Sequence, residues 1–345
     1  MVTPIYFYIP PCHWPEEMPA GANEGWAGFG LGIYAWTLQT YLRLQADGFP
    51  CHLVSTLPAA GIILAHRNSL QTHNPAFKPG AKQLLICLKA ESAPYPFAHL
   101  HVVQNPLEAH RLKNSYYLPH WPQPGLIPRD GNRGDRFENI AFVGHATNLA
   151  PELQHHSWLQ QLNDLGLNWQ PLTNQNRWDR YQDMEYHWHD YSTIDAVLAV
   201  RSFNHRHLIL SQNHLTKPAT KLYNAWLAGI PAILGCESAY QAERKSNLDY
   251  VEVASLESAI AALKQLRDDQ AWRQDMVKHG QTRAQAIKPS RITAQWRKFL
   301  ETVAIPIYDH WCAQPGWKQE LSLSRSYLTS AINRLGHKVR LWPGQ

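Results

Sequence analysis

The segment from Lys217 to Leu234, KPATKLYNAWLAGIPAIL, combines residues that can bind an anion with a helix that can position them. Pro218 suits the first turn of a helix, because proline has no N–H group to leave unpaired there. Lys217 and Lys221 flank the predicted helix start, where the helix dipole favours negative rather than positive charge. Free backbone N–H groups at a helix start also attract anions. The segment therefore predicts a phosphate site, and the alternative is a surface helix with solvated lysines.

The same segment continues into a second recognisable pattern. Leu222, Ala225, Trp226 and Gly229 fall on one face at helical spacing. Gly-Ile-Pro then ends the helix, a short apolar strand follows, and Glu237 lies in the next loop. Thr216 and Thr220 are the candidate caps at the other end of the helix. This succession resembles the donor-binding segment of GT-B glycosyltransferases of the family 1 and family 4 type, in which the helix start holds the diphosphate of a nucleotide sugar.

The resemblance departs from the family at one point. Many retaining members carry two glutamates eight positions apart, the second five residues before the glycine. Thr216 and Asn224 occupy those places here. Asn224 can still hydrogen-bond a ribose hydroxyl, but the acidic pair is absent, so the stereochemical outcome stays open. The resemblance implies that Thr220, Lys217 and Lys221 hold the diphosphate, and that Asn224 and Glu237 face the ribose or the sugar.

Composition restricts the class of protein. The chain has 345 residues and is 44% hydrophobic, which allows two domains with sizeable cores. No apolar run is long enough to span a bilayer, and the N-terminus lacks the basic start of a signal peptide. Five scattered cysteines without a C-x-x-C pair fit reduced thiols in a cytoplasmic protein. The net charge of +5 is concentrated at the C-terminus, which argues against a uniformly basic nucleic-acid binder.

Apolar segments alternate with helical ones along most of the chain, which predicts an α/β fold with parallel sheets. A proline-rich stretch at residues 118–139 predicts a linker, after which the alternation restarts. The resemblance implies two Rossmann-like domains facing a central cleft. We expect an acceptor domain at residues 1–125, a donor domain at 126–305, and a helical tail at 306–345 that crosses back onto the first domain. The predicted strands are residues 5–9, 51–55, 61–65, 83–88, 100–103, 140–143, 196–200 and 232–234, the predicted helices are 33–46, 157–165 and 256–266, and residues 208–210 are a short strand or part of a connection.

A glycine-rich loop, Gly25-Trp-Ala-Gly-Phe-Gly-Leu-Gly, lies between the first strand and the first helix. Glycine lets backbone approach a ligand closely. The spacing does not match the dinucleotide fingerprint, and no acidic residue ends the next strand, so a dehydrogenase is disfavoured. In the GT-B resemblance a glycine-rich turn here lies near acceptor and donor phosphates, which makes Gly28 and Gly30 candidates; a flexible loop is the alternative. Gly144, at the end of a later strand, is a further donor-site candidate.

Charged residues also follow the strands of the predicted sheets. Arg201 ends the strand DAVLAVR, and the carboxyl ends of parallel strands face the ligand crevice. Its guanidinium can bind phosphate. A catalytic base is needed beside the acceptor hydroxyl if the reaction inverts the anomeric centre. His13, just after the first strand, and Glu91, after the strand QLLICLK, are the candidates; Glu16, Glu24 and His66 are alternatives.

The nineteen histidines raise the question of a metal. His187 and His189 lie on one face if the chain is extended there, and further close pairs occur at 155–156 and 205–207. No H-E-x-x-H spacing or Asp-x-Asp motif is present, so we expect no metal site. The predicted co-substrate is a UDP- or GDP-linked sugar, with no separate cofactor.

The sequence therefore predicts a metal-independent glycosyltransferase that moves a sugar to an acceptor hydroxyl on a carbohydrate or a lipid-linked molecule. The alternatives are a sugar-nucleotide epimerase or phosphorylase-like enzyme of the same fold, and a non-catalytic sugar- or nucleotide-binding protein.

Beyond Trp311, five basic residues accompany one acidic residue. Leu321, Leu328, Ile332 and Leu335 form one helical stripe there. That stripe packs on the first domain or, alternatively, docks with the basic residues on an anionic membrane.

Overall fold

The strands of the protein form two separate sheets, which confirms the predicted α/β class. The computed structural model describes residues 3–73, 76–174, 187–325 and 327. The first sheet has six strands in the order β2-β1-β3-β4-β5-β6, and every neighbouring pair is parallel. Its strands are Ile5–Tyr8 (β1), His52–Val54 (β2), Gly61–His66 (β3), Gln83–Leu88 (β4), Leu100–Val103 (β5) and Ser115–Tyr117 (β6).

The second sheet repeats this arrangement with five parallel strands in the order β11-β10-β9-β7-β8. In both sheets the first strand lies between the second and the third, so the strand order reverses beside it. In sheets of this kind ligands bind at that reversal, beyond the carboxyl ends of the strands. The strands are Asn139–His145 (β7), Asn168–Asn174 (β8), Ala196–Ala199 (β9), Ala232–Gly235 (β10) and Val251–Val253 (β11).

Helices connect the strands and cover the sheets, which gives two Rossmann-like domains. The inner strands are mostly apolar, as is usual for strands covered on both faces. All six residues of β3 are buried. The helices are Gln39–Ala46 (α1), Arg67–Gln71 (α2), Pro106–Arg111 (α3), His156–Asp164 (α4), His205–Leu210 (α5), Thr220–Ala228 (α6), Ser238–Glu243 (α7), Leu256–Asp268 (α8), Gln270–Ala284 (α9), Pro289–Phe299 (α10) and Ile305–Ala313 (α11).

Residues 208–210 are helical and not a strand, because they form the last turn of α5, which Asn204 caps through its side chain. The predicted helix at 33–46 is confirmed. It opens with a π-helical turn at Tyr34–Leu38, continues as α1, and ends before Gly48, whose φ of 74° suits glycine.

The last helices return to the first domain. Ile292, Trp296 and Phe299 of α10 are buried in the same cluster as Ile5 and Phe7 of β1. This packing confirms the predicted crossing of the C-terminal helical segment. The crossing begins at α10, before residue 306, since α10 already contributes to the core of the first domain. The boundaries of the donor domain remain a prediction.

The tail beyond α11 does not follow the predicted stripe. Gln319 and Leu323 are buried on the first domain, whereas Leu321 is 44% exposed. The stripe is therefore wrong at its first member, because the helix turns a different face to the core. Leu328, Ile332 and Leu335 lie outside the described residues, as do Arg334, Lys338 and Arg340. Within the described part of the chain, no helix has the length and apolar character to cross a bilayer.

The proline-rich connection at 118–139 contains little regular structure, as predicted, but it is fixed to the first domain. Trp121 is fully buried, and its Nε1–H donates to Thr40 Oγ1 at 2.8 Å. Arg43 lies over the Trp121 ring at 5.0 Å. A short 3-10 turn at Gly131–Arg133 follows. The start of the connection is therefore anchored on the first domain.

Candidate active site in the cleft between the domains

The carboxyl ends of the two sheets face each other across a narrow cleft. Gln104, which follows β5, donates from Nε2 to the Thr216 carbonyl at 2.7 Å. Asn105 donates from Nδ2 to Ser238 Oγ at 2.9 Å. A hydrogen bond also joins the His145 ring to the backbone of Gly30. Residues of both predicted domains thus line one site.

The start of α6 lies in this cleft and is open to an anion. The helix begins at Thr220, with Ala219 as its N-cap, and no described side chain caps it. The expected caps, Thr216 and Thr220, are therefore wrong: Thr216 lies too far upstream, and Thr220 is the first helical residue. Thr220 Oγ1 is buried and has no hydrogen-bond partner among the described residues. The predicted apolar face is confirmed, since Leu222, Ala225 and Trp226 are buried.

Lys221 belongs to the first turn of this helix. Its ammonium lies 5.0 Å above the ring of Phe142 and forms no ion pair with any carboxylate in the described ranges. Burial lowers the pKa of Lys221 to about 7, and Arg201 contributes further. Gly144, at the end of β7, has a φ of 148°, and a Cβ there would lie 2.6 Å from Lys221 Nζ. Gly144 therefore makes room for the ammonium.

Arg201 is held in the same part of the cleft by an acidic partner. Its Nε donates to Glu237 Oε2 at 2.9 Å, and both side chains are buried. Burial alone would lower the pKa of Arg201, but the neighbouring Glu237 carboxylate outweighs it, so the pKa lies above the ordinary value. Glu237 thus orients the guanidinium and offsets its charge.

Lys217 and Glu91 form an ion pair across the cleft. Burial lowers the pKa of Lys217, and Glu91 opposes that shift. The sequence assigned these residues to a phosphate contact and to catalysis, and the structure brings them together. When Lys221 is protonated, Arg201, Lys217 and Lys221 carry three positive charges beside the two carboxylates of Glu91 and Glu237, so the local excess of charge is positive.

Asn224 has partners of its own. Its Oδ1 accepts from the backbone N–H of Gln123 at 2.9 Å, and its Nδ2 donates to the Tyr191 hydroxyl at 3.2 Å. The residue is buried, with 4% of its surface exposed. Its amide thus ties the interdomain connection to α6, and its predicted contact with ribose or sugar stays a prediction.

The glycine-rich loop and His13 lie on the first-domain side. Gly28 is covered by its neighbour, because a Cβ there would lie 2.1 Å from the Trp26 ring. His13 ends a 3-10 turn after β1, and its carbonyl accepts from the Tyr34 hydroxyl at 2.8 Å. Burial lowers the pKa of His13. Glu16 is exposed.

Two further imidazoles lie near His13. The charges of His13 and His120 both act on His66, which ends β3. Burial lowers the pKa of His66 to about 3 and also lowers that of His120. Nε2 of His66 is buried and has no hydrogen-bond partner among the described residues. A Cβ at Gly32 would lie 3.2 Å from this nitrogen, so the glycine leaves room for the imidazole.

Sequence reasoning missed several residues of the cleft. Gln104 follows β5 directly, and His120 comes three residues after β6. Their position after the carboxyl ends of strands could have identified them. His145 ends β7 beside Gly144, which was the only candidate taken from that strand end. His214 gave no signal, since it lies in a loop and no regular spacing links it to the phosphate site.

No group of three or more potential metal ligands occurs among the residues described in the structure. His187 and His189 belong to the described residues, whereas the twelve residues preceding His187 do not. The absence of a metal requirement remains a prediction.

Comparison with known proteins gave distant structural similarity only. No family model and no curated protein matches the chain. Three similar solved structures are HepE of Anabaena in complex with UDP-glucose, sucrose-phosphate synthase from Thermosynechococcus elongatus, and AviGT4, a glycosyltransferase involved in avilamycin A biosynthesis. Each is 12% identical to this chain. The similarity to HepE covers 88% of this chain and 100% of HepE, with a TM-score of 0.49. For sucrose-phosphate synthase the coverages are 79% and 78% and the TM-score is 0.46. For AviGT4 they are 85% and 99%, with a TM-score of 0.43. At these values, function has to be inferred from the residues of the cleft.

Proposed function

We propose that this protein is a glycosyltransferase that uses a nucleoside-diphosphate sugar, linked to UDP or GDP, and transfers the sugar to an acceptor hydroxyl. The donor diphosphate binds at the start of α6, and the acceptor binds on the first-domain side of the cleft. The reaction class follows from a cation-rich pocket for a diphosphate beside a set of neutral imidazoles.

The observation that carries this proposal is the environment of Lys221. Its ammonium lies in the cleft at an uncapped helix start, with Thr220 Oγ1 beside it lacking a partner among the described residues. No described carboxylate pairs with it, although Arg201 and Lys217 act on it. An isolated ammonium, a free hydroxyl and backbone N–H groups at one helix start are complementary to a phosphate.

The neighbouring residues supply the remaining contacts. Arg201 binds phosphate through its outer nitrogens while Glu237 holds its Nε. Lys217 reaches the diphosphate once it separates from Glu91. Gly144 leaves room for the Lys221 ammonium, and Gly30 is the candidate for a backbone contact with the ligand on the other side of the cleft. Glu237 and Asn224 are the candidates for contacts to ribose or sugar.

His13 is the catalytic base that we favour. A base has to be unprotonated, and burial keeps His13 neutral near pH 7 by lowering its pKa. Glu91 is the alternative, because its carboxylate pairs with Lys217 only until the diphosphate takes that lysine. In the transfer, the acceptor oxygen forms the new bond to the anomeric carbon and its proton passes to the base. The bond between that carbon and the phosphate oxygen breaks, and the nucleoside diphosphate leaves with the electron pair.

Metal independence is also part of this proposal. Arg201, Lys217 and protonated Lys221 can neutralise the negative charge of the diphosphate, which a metal ion does in other enzymes. Activity should therefore persist in EDTA. Complete loss of activity on chelation, with recovery on adding Mn²⁺ or Mg²⁺, would contradict metal-independent transfer.

The deciding experiment is calorimetric binding of UDP, GDP, uridine and guanosine to wild type and to Lys221→Ala. We expect one diphosphate to bind, and Lys221→Ala to weaken it by about 1.5–3 kcal/mol while leaving the nucleoside nearly unaffected. Lys264→Ala, on the exposed side of α8, is the matched control. Equal diphosphate affinity in all three proteins would contradict the site. Turnover of the bound nucleotide sugar with a hydroxyl acceptor then separates a transferase from a binding protein, and epimer formation identifies an epimerase.

A further inference from the structure

The loop before α6 places an additional imidazole at the proposed phosphate site. Its residues Gln212, Asn213 and His214 have φ values of 51°, 53° and 54°, a left-handed turn that non-glycine residues rarely form. The His214 carbonyl accepts from the Lys217 N–H at 2.9 Å, and the Asn213 carbonyl accepts from the Ser238 N–H at 2.8 Å. The loop is thus fixed to both segments that carry phosphate-site residues.

The His214 side chain has an unused nitrogen. Nε2 is buried and has no hydrogen-bond partner among the described residues, which leaves a polar atom unsatisfied in the unliganded protein. The ring packs edge-on against His207, with 5.5 Å between ring centroids. The charges of Glu237, Arg201 and Lys217 act on the same imidazole, which places it beside the groups proposed to bind phosphate.

We infer that His214 is a ligand of the donor's terminal phosphate, the phosphate that carries the sugar and leaves with the nucleotide. This inference rests on the proposed function and adds a residue to its phosphate site. Nε2 donates a hydrogen bond to an oxygen of that phosphate. When the bond between the anomeric carbon and the phosphate oxygen breaks, the electron pair stays on the oxygen, and His214 stabilises the resulting charge without giving up its proton.

The charges around His214 explain how it becomes protonated when the ligand binds. Burial lowers the pKa of His214; Glu237 raises it, and Arg201, His207 and Lys217 lower it further. The imidazole is therefore mostly neutral near pH 7 in the unliganded protein. A phosphate dianion beside it adds negative charge and favours the protonated ring. Binding of a nucleoside diphosphate should consequently be accompanied by uptake of a proton at His214.

The test is calorimetry of UDP or GDP, whichever wild type binds, at pH 6.5 in buffers of different ionisation enthalpy. His214→Gln keeps an amide donor that does not titrate, and His214→Asn tolerates the left-handed backbone. We expect both variants to take up fewer protons than wild type. We also expect an affinity loss of about tenfold for the diphosphate and a much smaller loss for the corresponding monophosphate. His205→Gln, an exposed residue at the start of α5, is the control.

The outcomes separate this inference from the proposed function. If wild type binds no nucleoside diphosphate, the proposed function fails. If binding depends on Lys221 but proton uptake and the preference for diphosphate over monophosphate are unchanged in both His214 variants, the proposed function stands and the role of His214 is wrong. Proton uptake would then have to come from Lys221 or His145, the other titrating groups near the site.

Discussion

Lys217 and Glu91 pair across the cleft, so a carboxylate of the first domain occupies a lysine that the second domain presents at its proposed phosphate site. The Lys217 side chain is 18% exposed and that of Glu91 is 44% exposed. A diphosphate that binds Lys217 has to displace Glu91, because two anions beside one ammonium repel each other. In the proposed function, Glu91 thus competes with the ligand, and in the unliganded protein it links the two domains.

Glu91→Gln should therefore strengthen nucleoside-diphosphate binding. Removing the competing charge frees Lys217, and we expect a gain of about 0.5–1 kcal/mol, the usual size for a partly exposed pair. Calorimetry on Glu91→Gln, Lys217→Ala and the double variant measures the effect as a double-mutant cycle. Weaker binding in Glu91→Gln would mean that Glu91 supports the ligand. Unchanged or tighter binding together with loss of transfer would assign the catalytic base to Glu91 instead of His13.

Nucleotide affinity should fall as pH rises above about 7, because the pKa of Lys221 lies at about 7 in the unliganded protein. The phosphate binds the ammonium form, and that form disappears above this pKa. The terminal phosphate is already a dianion in this range, so its own titration does not interfere. We expect a loss approaching about tenfold per pH unit between pH 7.5 and 9.

The measurement is the dissociation constant of the nucleoside diphosphate at half-unit steps of pH. Lys221→Met removes this titrating group, so its weaker binding should vary less with pH than that of wild type over the same range, and the remaining dependence should come from His214. A pH profile shared by wild type and Lys221→Met would show that another group is responsible.

The sequence predicted the inner strands well and, of the four edge strands, only β2. Strands β4 and β5 have the predicted limits, since residues buried on both faces leave a continuous apolar run. Strand β8, NWQPLTN, lies at the edge of its sheet, is polar and partly exposed, and gave no periodic signal. Helix α9 was missed because charged and polar residues surround most of its circumference.

In the candidate site, too, the sequence predicted residues that are close together in the chain but not those that only the fold brings together. Lys217 and Lys221 were recognisable because both lie at one helix start, four residues apart. The partnership of Lys217 with Glu91 joins residues 126 positions apart, and it depends on how the two domains face each other. The proximity of His214 to Arg201 depends likewise on a left-handed loop that no residue spacing predicts. Local segments thus predicted the residues of the proposed phosphate site but not the charged groups that surround them.

The free energy of unfolding should decrease as pH falls below about 6.5, the ordinary pKa of histidine. Burial lowers the pKa of His66 to about 3 and those of His99 and His101 to about 4, in each case because the charged form is desolvated. The unfolded chain binds these protons first, so the native state loses stability between about pH 6.5 and 4. Each such histidine contributes a slope of up to about 1.4 kcal/mol per pH unit.

Urea denaturation of wild type and His99→Gln at several pH values tests this dependence. In wild type, the Leu85 N–H donates to His99 Nδ1 at 2.9 Å. Glutamine retains a side-chain acceptor for this N–H. The substitution lowers stability at every pH, and only the slope against pH is compared. We expect a shallower slope in His99→Gln between pH 6 and 4.5. Parallel slopes would show that His99 is not neutral in the folded protein at acidic pH.

The tail provides a test of whether residues beyond α11 stabilise the first domain. Leu323 is 4% exposed within the first-domain core, whereas Leu321, two residues earlier, is 44% exposed. Leu323→Ala should cost about 2–4 kcal/mol, the usual penalty for a cavity at a buried leucine, and Leu321→Ala less than about 0.5 kcal/mol. Chemical denaturation measures both, and the matched substitution controls for helix propensity.

The alternative role of the tail, docking on an anionic membrane, predicts the reverse dependence. Leu321→Ala would then reduce sedimentation with phosphatidylserine vesicles, and Leu323→Ala would leave stability unchanged. Loss of stability confined to Leu323→Ala, with vesicle binding absent in wild type, would establish that the tail serves the fold.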